Sequence, residues 1–305
     1  MLPRKPYTLS LPDGRILRLG DRTLVMGIIN VTPDSFADGG DRIDPAHALD
    51  AALALEAGGA DILDVGGEST RPGADVLPAT EELGRVLPVL RRMIGRVRVP
   101  VSIDTSKADV ARQAIDHGVS IINDVSSLGY DPGIADVAAA ARVPLVLTHN
   151  RGTSHDMYRH ARYTDVGGTI ALELRAVIDI ALAAGVSEEQ IIVDPGLGFA
   201  KRAEHTLAAL ADLGALSGLD RPILVGPSRK SFLTAALGER SPAAREWGTA
   251  AAVASAVLLG AHVVRVHDTL AHVDVVRVAD AIRAHTAGVD VTADSLAVGG
   301  KLKSE

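Results

Sequence analysis

A closed (β/α)8 barrel of the TIM type, preceded by an N-terminal β-hairpin, is the fold class that the 305 residues predict. Three observations carry that expectation. Eight short runs of Val, Ile and Leu alternate with helix-like stretches, and buried parallel strands read as apolar runs of this kind. Each run ends in polar residues: Asn30, Asp64 to Arg71, Asp104, Asn123, His149, Asp194, Ser228 to Lys230, and Arg265 to His267. A barrel collects its chemistry at the C-terminal ends of its strands, so these groups would ring one mouth. Related glycine turns also close four of the helix-like stretches, at Gly58-Gly59, Gly118, Gly185 and Gly260. Glycine just past a helix end relieves the left-handed turn there.

Tyr7 to Leu19 alternates polar and apolar residues around Asp13-Gly14, a hairpin signal, and is expected to cover the closed end of the barrel. The repeating units follow. Strands are predicted at 24–29, 62–65, 101–103, 121–122, 145–147, 191–193, 223–225 and 263–266. Helices are predicted at 45–57, 79–94, 107–117, 132–141, 169–184, 205–213, 247–259 and 270–285, with extra helical material at 230–237. Pro45 after Asp44 is a strong helix start, because proline lacks only an N–H that the first turn leaves unused. The loop Asn150 to Tyr163 is long and polar. With no linker or composition shift, the chain divides into an extension over 1–22, a barrel over 23–286 and a tail over 287–305 expected to fray. An open doubly wound sheet is the rival fold, and strand number and length favour closure.

Composition narrows the function. The chain is 47% hydrophobic and 23% charged, with a formal net charge of −7. A nucleic-acid binder would carry a basic footprint, and one Trp, four Tyr and three Phe make no stacking platform. Cysteine is absent, which excludes disulfides and thiolate metal sites and is compatible with a reducing cytoplasm. The N-terminus has no apolar h-region, and the apolar stretch Ala250 to Val264 is too short and too interrupted to span a bilayer.

Positive charge must then be local if the ligand is anionic. Ser228-Arg229-Lys230 and Arg265-Val266-His267 close strands seven and eight, where barrels often hold phosphate. Arg265 and His267 share a strand face, giving an expected cationic pocket, with a surface salt-bridge cluster as the plainer reading. Asp104 and Asp194 follow very apolar strands, so they either cap local structure or meet ligand donors such as the N–H groups of an aminopyrimidine-like edge. Asn123 would add a donor and an acceptor. Gly66-Gly67-Glu68-Ser69-Thr70-Arg71-Pro72-Gly73 reads either as a surface loop or as backbone that approaches a ligand, with Arg71 clamping an anion. Asn30-Val31-Thr32-Pro33 also fits an Asx turn.

These residues resemble the hallmark segments of the dihydropteroate synthases. The matching runs are Met26 to Phe36, Gly66 to Gly73, Ser102 to Thr105, Ile122 to Asp124, Asp194 to Lys201, Ser228 to Lys230 and Arg265 to Asp268, in order. The resemblance spans roughly Leu24 to Ala284. It implies condensation of 6-hydroxymethyl-7,8-dihydropterin diphosphate with 4-aminobenzoate, giving 7,8-dihydropteroate and pyrophosphate in folate synthesis. It assigns Asp104, Asn123, Asp194 and Lys230 to the pterin ring. Asn30, Arg265 and His267 fall to the diphosphate, with Mg2+ beside Asn30. Phe36, Thr70, Arg71 and Pro72 belong to two mobile loops that complete an aminobenzoate pocket with Phe199, Lys201 and Ser228, and Arg229 lies beside it. A homodimer and competition by sulfonamides are also implied. Departures from the family pattern are Thr148 where methionine is common around the following histidine, the loop Thr153 to Arg162, and Pro227 before Ser228. The rival functions are a pterin-dependent methyltransferase of the same barrel type and a catalytically silent pterin-binding paralogue.

Overall fold

The computed structural model of the chain describes residues 4–32 and 44–286. Phe36 and the tail expected to fray lie outside them. Two antiparallel strands, β1 (Tyr7–Ser10) and β2 (Ile16–Leu19), form the hairpin. Eight parallel strands follow: β3 (Leu24–Asn30), β4 (Ile62–Gly66), β5 (Val101–Asp104), β6 (Ile121–Asp124), β7 (Leu145–Thr148), β8 (Ile191–Asp194), β9 (Leu224–Val225) and β10 (Val263–Val266). Their order is β8-β7-β6-β5-β4-β3-β10-β9, and a parallel bridge between Val193 and Ile223 joins the two ends. The barrel predicted from the strand pattern is therefore the one observed.

Helices fill the crossovers close to their expected bounds. The helix Pro45–Ala57 starts where Asp44 accepts a hydrogen bond from Ala46 N at 2.8 Å. Asp165 does the same for Gly168 N at 3.0 Å, so the helix predicted from Thr169 begins at Val166. The stretch predicted at 205–213 is an α-helix at Ala203–Ala211 followed by a 3-10 segment at Leu213–Leu219.

Side chains alternate across a strand, and this period of two builds two cores. Outward residues such as Val25, Leu63, Ile103, Ile122, Val193 and Val264 pack against the helices. Inward residues at the N-terminal end, among them Met26, Ile62, Ile121, Val146, Ile192 and Leu224, pack with Leu9, Leu11 and Leu19 of the hairpin segment. The hairpin thus plugs the base. One step further along six of the eight strands the inward positions turn polar: Asp64, Ser102, Asn123, Thr148, Asp194 and Arg265.

His262 fastens the plug. Its Nδ1 accepts from Ile223 N at 3.0 Å, which leaves Nε2–H to donate to Lys5 O at 3.0 Å. Its ring also meets Tyr7 edge-on at 5.3 Å. Burial pushes its pKa down to about 4. An unfolded histidine takes up a proton near its usual pKa of about 6.5, whereas the folded one does not until about 4, so this contribution to stability is lost as pH falls through that window. The difference in urea-unfolding free energy between the natural chain and His262→Gln should therefore shrink from pH 6.5 to pH 4; a difference that holds constant would contradict the assignment.

Candidate active site

The upper half of the barrel is organised around Arg265. Its inward position on β10 sends the guanidinium across the interior. Nε donates to Asp64 Oδ2 and Nη2 to Asp104 Oδ2, both at 2.6 Å. Asn123 Nδ2 donates to the same Asp64 oxygen at 2.9 Å. Residues from β4, β5, β6 and β10 thus meet in one cluster. Burial, with Asp64 nearby, pushes Asp104 up to about 7 despite the opposing Arg265 charge. Asp64 Oδ1, Ser102 Oγ and Thr148 Oγ1 are buried with no hydrogen-bond partner among the described residues. Buried polar atoms normally find partners, so three in one layer mark a surface shaped for a polar ligand.

Asp194 and Lys230 form the facing wall. Asp194 is buried, which raises its pKa against the pull of Lys230, and its Oδ1 accepts from Gly196 N at 2.7 Å. Lys230 Nζ donates to Leu197 O and stands 4.7 Å from the centre of the Phe199 ring. Burial draws Lys230 down to about 8, with Asp194 opposing. The turn that delivers Lys230 is strained, since Arg229 has φ +57°. Arg229 is held there by Glu246 at 2.9 Å and by Thr249, whose hydroxyl accepts its N–H at 3.0 Å.

Ser228 and His267 meet at 2.9 Å, Oγ to Nδ1, and the serine oxygen also accepts from His267 N at 3.3 Å. With the serine hydroxyl donating to Nδ1, Nε2–H is the histidine's outward donor. Burial and the neighbouring Arg229 and Arg265 push His267 down to about 3, so it is neutral at physiological pH. Arg265 shares its charge with two carboxylates, and His267 contributes a donor rather than a charge.

Asn30 ends β3, half-buried and in register with Gly66. Thr70 is half-buried, while Arg71 and Pro72 are exposed. Thr70 lines a cleft of about 290 Å³ that also reaches Glu68, Asp104, Tyr130, Thr153 and Phe199. Lys201 is placed differently from the other expected residues. It is 1% exposed, and its Nζ is enclosed by His149 Nδ1 at 2.7 Å, Phe199 O at 3.0 Å, Gly196 O at 3.1 Å and His149 O at 3.4 Å. His149 Nε2 reaches Glu173 at 2.9 Å, and burial holds this histidine down to about 4. Lys201 thereby shapes the turn between Asp194 and Ala200 from inside and is withheld from the mouth.

Asp64, which the strand pattern set at the mouth, carried no assigned contact in the sequence, and here it pairs with Arg265 and Asn123. The signal was available: a carboxylate two positions after Ile62 shares its inward parity. Glu173, by contrast, lies on a helix and leaves no mark in the strand pattern.

No group of three or more His, Asp or Glu side chains among the described residues is arranged to hold a metal. A magnesium ion keeps several waters and leans on substrate phosphates, so one amide oxygen such as that of Asn30 suits its protein share.

Comparison with known proteins agrees with this geometry. A family described as "Pterin binding enzyme" matches residues 26–267. The dihydropteroate synthase of Synechocystis is 44% identical over 273 residues, covering 89% of this chain and 94% of its own. That of Bacillus subtilis is also 44% identical, covering 87% of each. The solved structure of the Xanthomonas albilineans dihydropteroate synthase with 4-aminobenzoic acid superposes with a TM-score of 0.85 at 42% identity, covering 92% of this chain and 99% of that one. The Yersinia pestis dihydropteroate synthase with a sulfonamide complex superposes with a TM-score of 0.84 at 38% identity, covering 91% and 99%. By sequence, by fold and by the residues at its mouth, this chain belongs to the dihydropteroate synthase family of pterin-binding enzymes.

Proposed function

We infer that the chain condenses 6-hydroxymethyl-7,8-dihydropterin diphosphate with 4-aminobenzoate, releasing pyrophosphate and 7,8-dihydropteroate. The observation that carries this reading is the convergence of Asp64, Asp104, Asn123 and Arg265 with Asp194 and Lys230 inside one barrel mouth. Carboxylates that are buried and partly satisfied suit the N–H groups of an aminopyrimidine edge. Asp104, Asn123 and Asp194 take that edge, and Lys230 donates to the ring from the opposite wall. Asn30, His267 Nε2–H and the remaining Nη1 of Arg265 receive the diphosphate.

The reaction breaks the bond from the pterin methylene carbon to diphosphate oxygen and forms one to the aniline nitrogen, which sheds a proton. The aniline is neutral near pH 7, so attack needs no strong base. Mg2+, held in part by Asn30, would neutralise the departing diphosphate when bound. The protein's own share is preorganised donors at the leaving group and a fixed ring, which are worth most where water is excluded. Thr70, Arg71 and Pro72 belong to a loop that closes over aminobenzoate, against Phe199 and Ser228. Lys201 acts behind that wall.

The chain also pairs with a second copy, on this reading, through the helices Glu246–Leu258 and Thr269–Thr286. Between them lies an apolar groove lined by Ala254, Leu258, Val275, Val278, Ala279 and Ile282. Val278 is 61% exposed and Ile282 50%, more apolar surface than a solvated helix face needs. No helix among the described residues is long and apolar enough to cross a membrane, and the cysteine-free sequence suits the cytoplasm.

Purified protein should release pyrophosphate only when both substrates and Mg2+ are supplied, and sulfamethoxazole should raise the apparent KM for aminobenzoate; turnover without either substrate would sink the assignment. Arg265→Ala should lower unfolding free energy by about 3–5 kcal/mol, since it leaves two carboxylates unpaired in the barrel. In calorimetry it should weaken dihydropterin diphosphate more than free hydroxymethyldihydropterin, and equal losses would refute the anion contact. Ile282→Glu should convert a dimer to a monomer in light scattering; an unchanged dimer mass would place the interface elsewhere.

A further inference from the structure

The loop between β4 and the helix Ala79–Met93 is drawn together at its neck by one side chain. Glu68 Oε1 accepts from Leu77 N at 3.4 Å, closing the loop across its base. The other carboxylate oxygen of Glu68 accepts from Lys107 Nζ. Lys107 stands just before the helix Ala108–Asp116, and its side chain is 5% exposed. The same ammonium donates to Glu82 Oε2 at 2.7 Å, and Glu82 is wholly buried at the loop's far end. Lys107 therefore ties both ends of the loop to the root of β5, next to Asp104.

Packing fixes the same neck. A Cβ on Gly67 would come within 2.7 Å of Val86 Cγ1, so only glycine fits there. Arg85 Nη1 donates to Gly67 O at 3.0 Å. Beyond the neck the loop leans on the segment after β7, where Gly73 N donates to Ser154 O at 3.0 Å and Ser154 Oγ to Ala74 O at 2.5 Å. Thr70 and Arg71 hang between these two supports.

Burying three charges adds little to net stability, because well-packed apolar residues of similar volume would serve as well or better. What the cluster supplies is direction. We propose that Lys107 and Glu68 are positioning residues of the transferase reaction, setting where the neck delivers Thr70 and Arg71 over the mouth. The proposal rests on the reading of this loop as part of the aminobenzoate pocket. A loop aimed wrongly would capture aminobenzoate poorly and admit water. Water would then form the new bond to the methylene carbon as the bond to diphosphate breaks. It would lose a proton and yield hydroxymethyldihydropterin and pyrophosphate.

The test uses the full chain with Lys107→Met, Glu68→Gln and Lys107→Arg. Lys107→Met and Glu68→Gln should raise the KM for aminobenzoate by about tenfold or more, the scale expected for misplaced binding groups. Calorimetric affinity for dihydropterin diphosphate should stay within about twofold of the natural chain. Pyrophosphate should exceed dihydropteroate in the products, and Lys107→Arg should restore much of the coupling. An unchanged KM and product ratio would overturn the proposal, as would equal worsening for both substrates together with a lowered Tm. If Lys107→Met fails to fold, Glu68→Gln decides, because it leaves the Lys107–Glu82 pair in place. Arg71→Ala is run beside them: a normal aminobenzoate KM in that variant would defeat the reading of the loop itself, whatever Lys107 does.

Discussion

An arginine inside a barrel is the constraint on which the rest of the site depends. Arg265 enters an interior that is apolar below it, and a buried guanidinium without partners would be untenable. Asp64 on β4 and Asp104 on β5 meet it from across the barrel interior, each at 2.6 Å. Two carboxylates against one cation leave the cluster short of positive charge. Burial, with Asp64 adding to it, raises the Asp104 pKa to about 7, and Asn123 turns its amide N–H toward Asp64. The frame is thus built to accept donors, and a heterocycle edged with N–H groups supplies them.

The neighbouring loops obey a related rule. Several of their side chains are steadied by neighbours beside or behind them. Lys201 gathers three carbonyls beneath the turn that carries Phe199, with His149 and Glu173 behind it. Ser228 fixes the ring of His267. Glu246 holds the strained Arg229. Such support keeps a site from relaxing in the absence of its ligand, which electrostatic catalysis requires.

Much of this was legible in the chain. Apolar runs marked the eight strands because both faces of a parallel barrel are buried, and the polar residues at their ends marked the mouth. Parity also placed Arg265 and His267 on one face. What the pattern could not carry was partnership across strands. Arg265 meets carboxylates more than 160 positions away, a pairing that no strand pattern records. Lys201 reads as a ligand contact in the motif, but its direction is set by His149 and Gly196, where a Cβ would sit 1.9 Å from His149 O. Glu82 and Glu173 lie on helices whose amphipathic pattern says only which side faces inward, not what they touch.

The leucines of the N-terminal hairpin have a meaning beyond packing. With Leu9, Leu11 and Leu19 stoppering the base, the barrel is a cup rather than a tube. A chain trimmed to begin at Leu24 would let solvent climb from beneath toward Asp64. The raised local dielectric would then weaken the ionic lattice around Arg265 from below, without a single residue at the rim being altered.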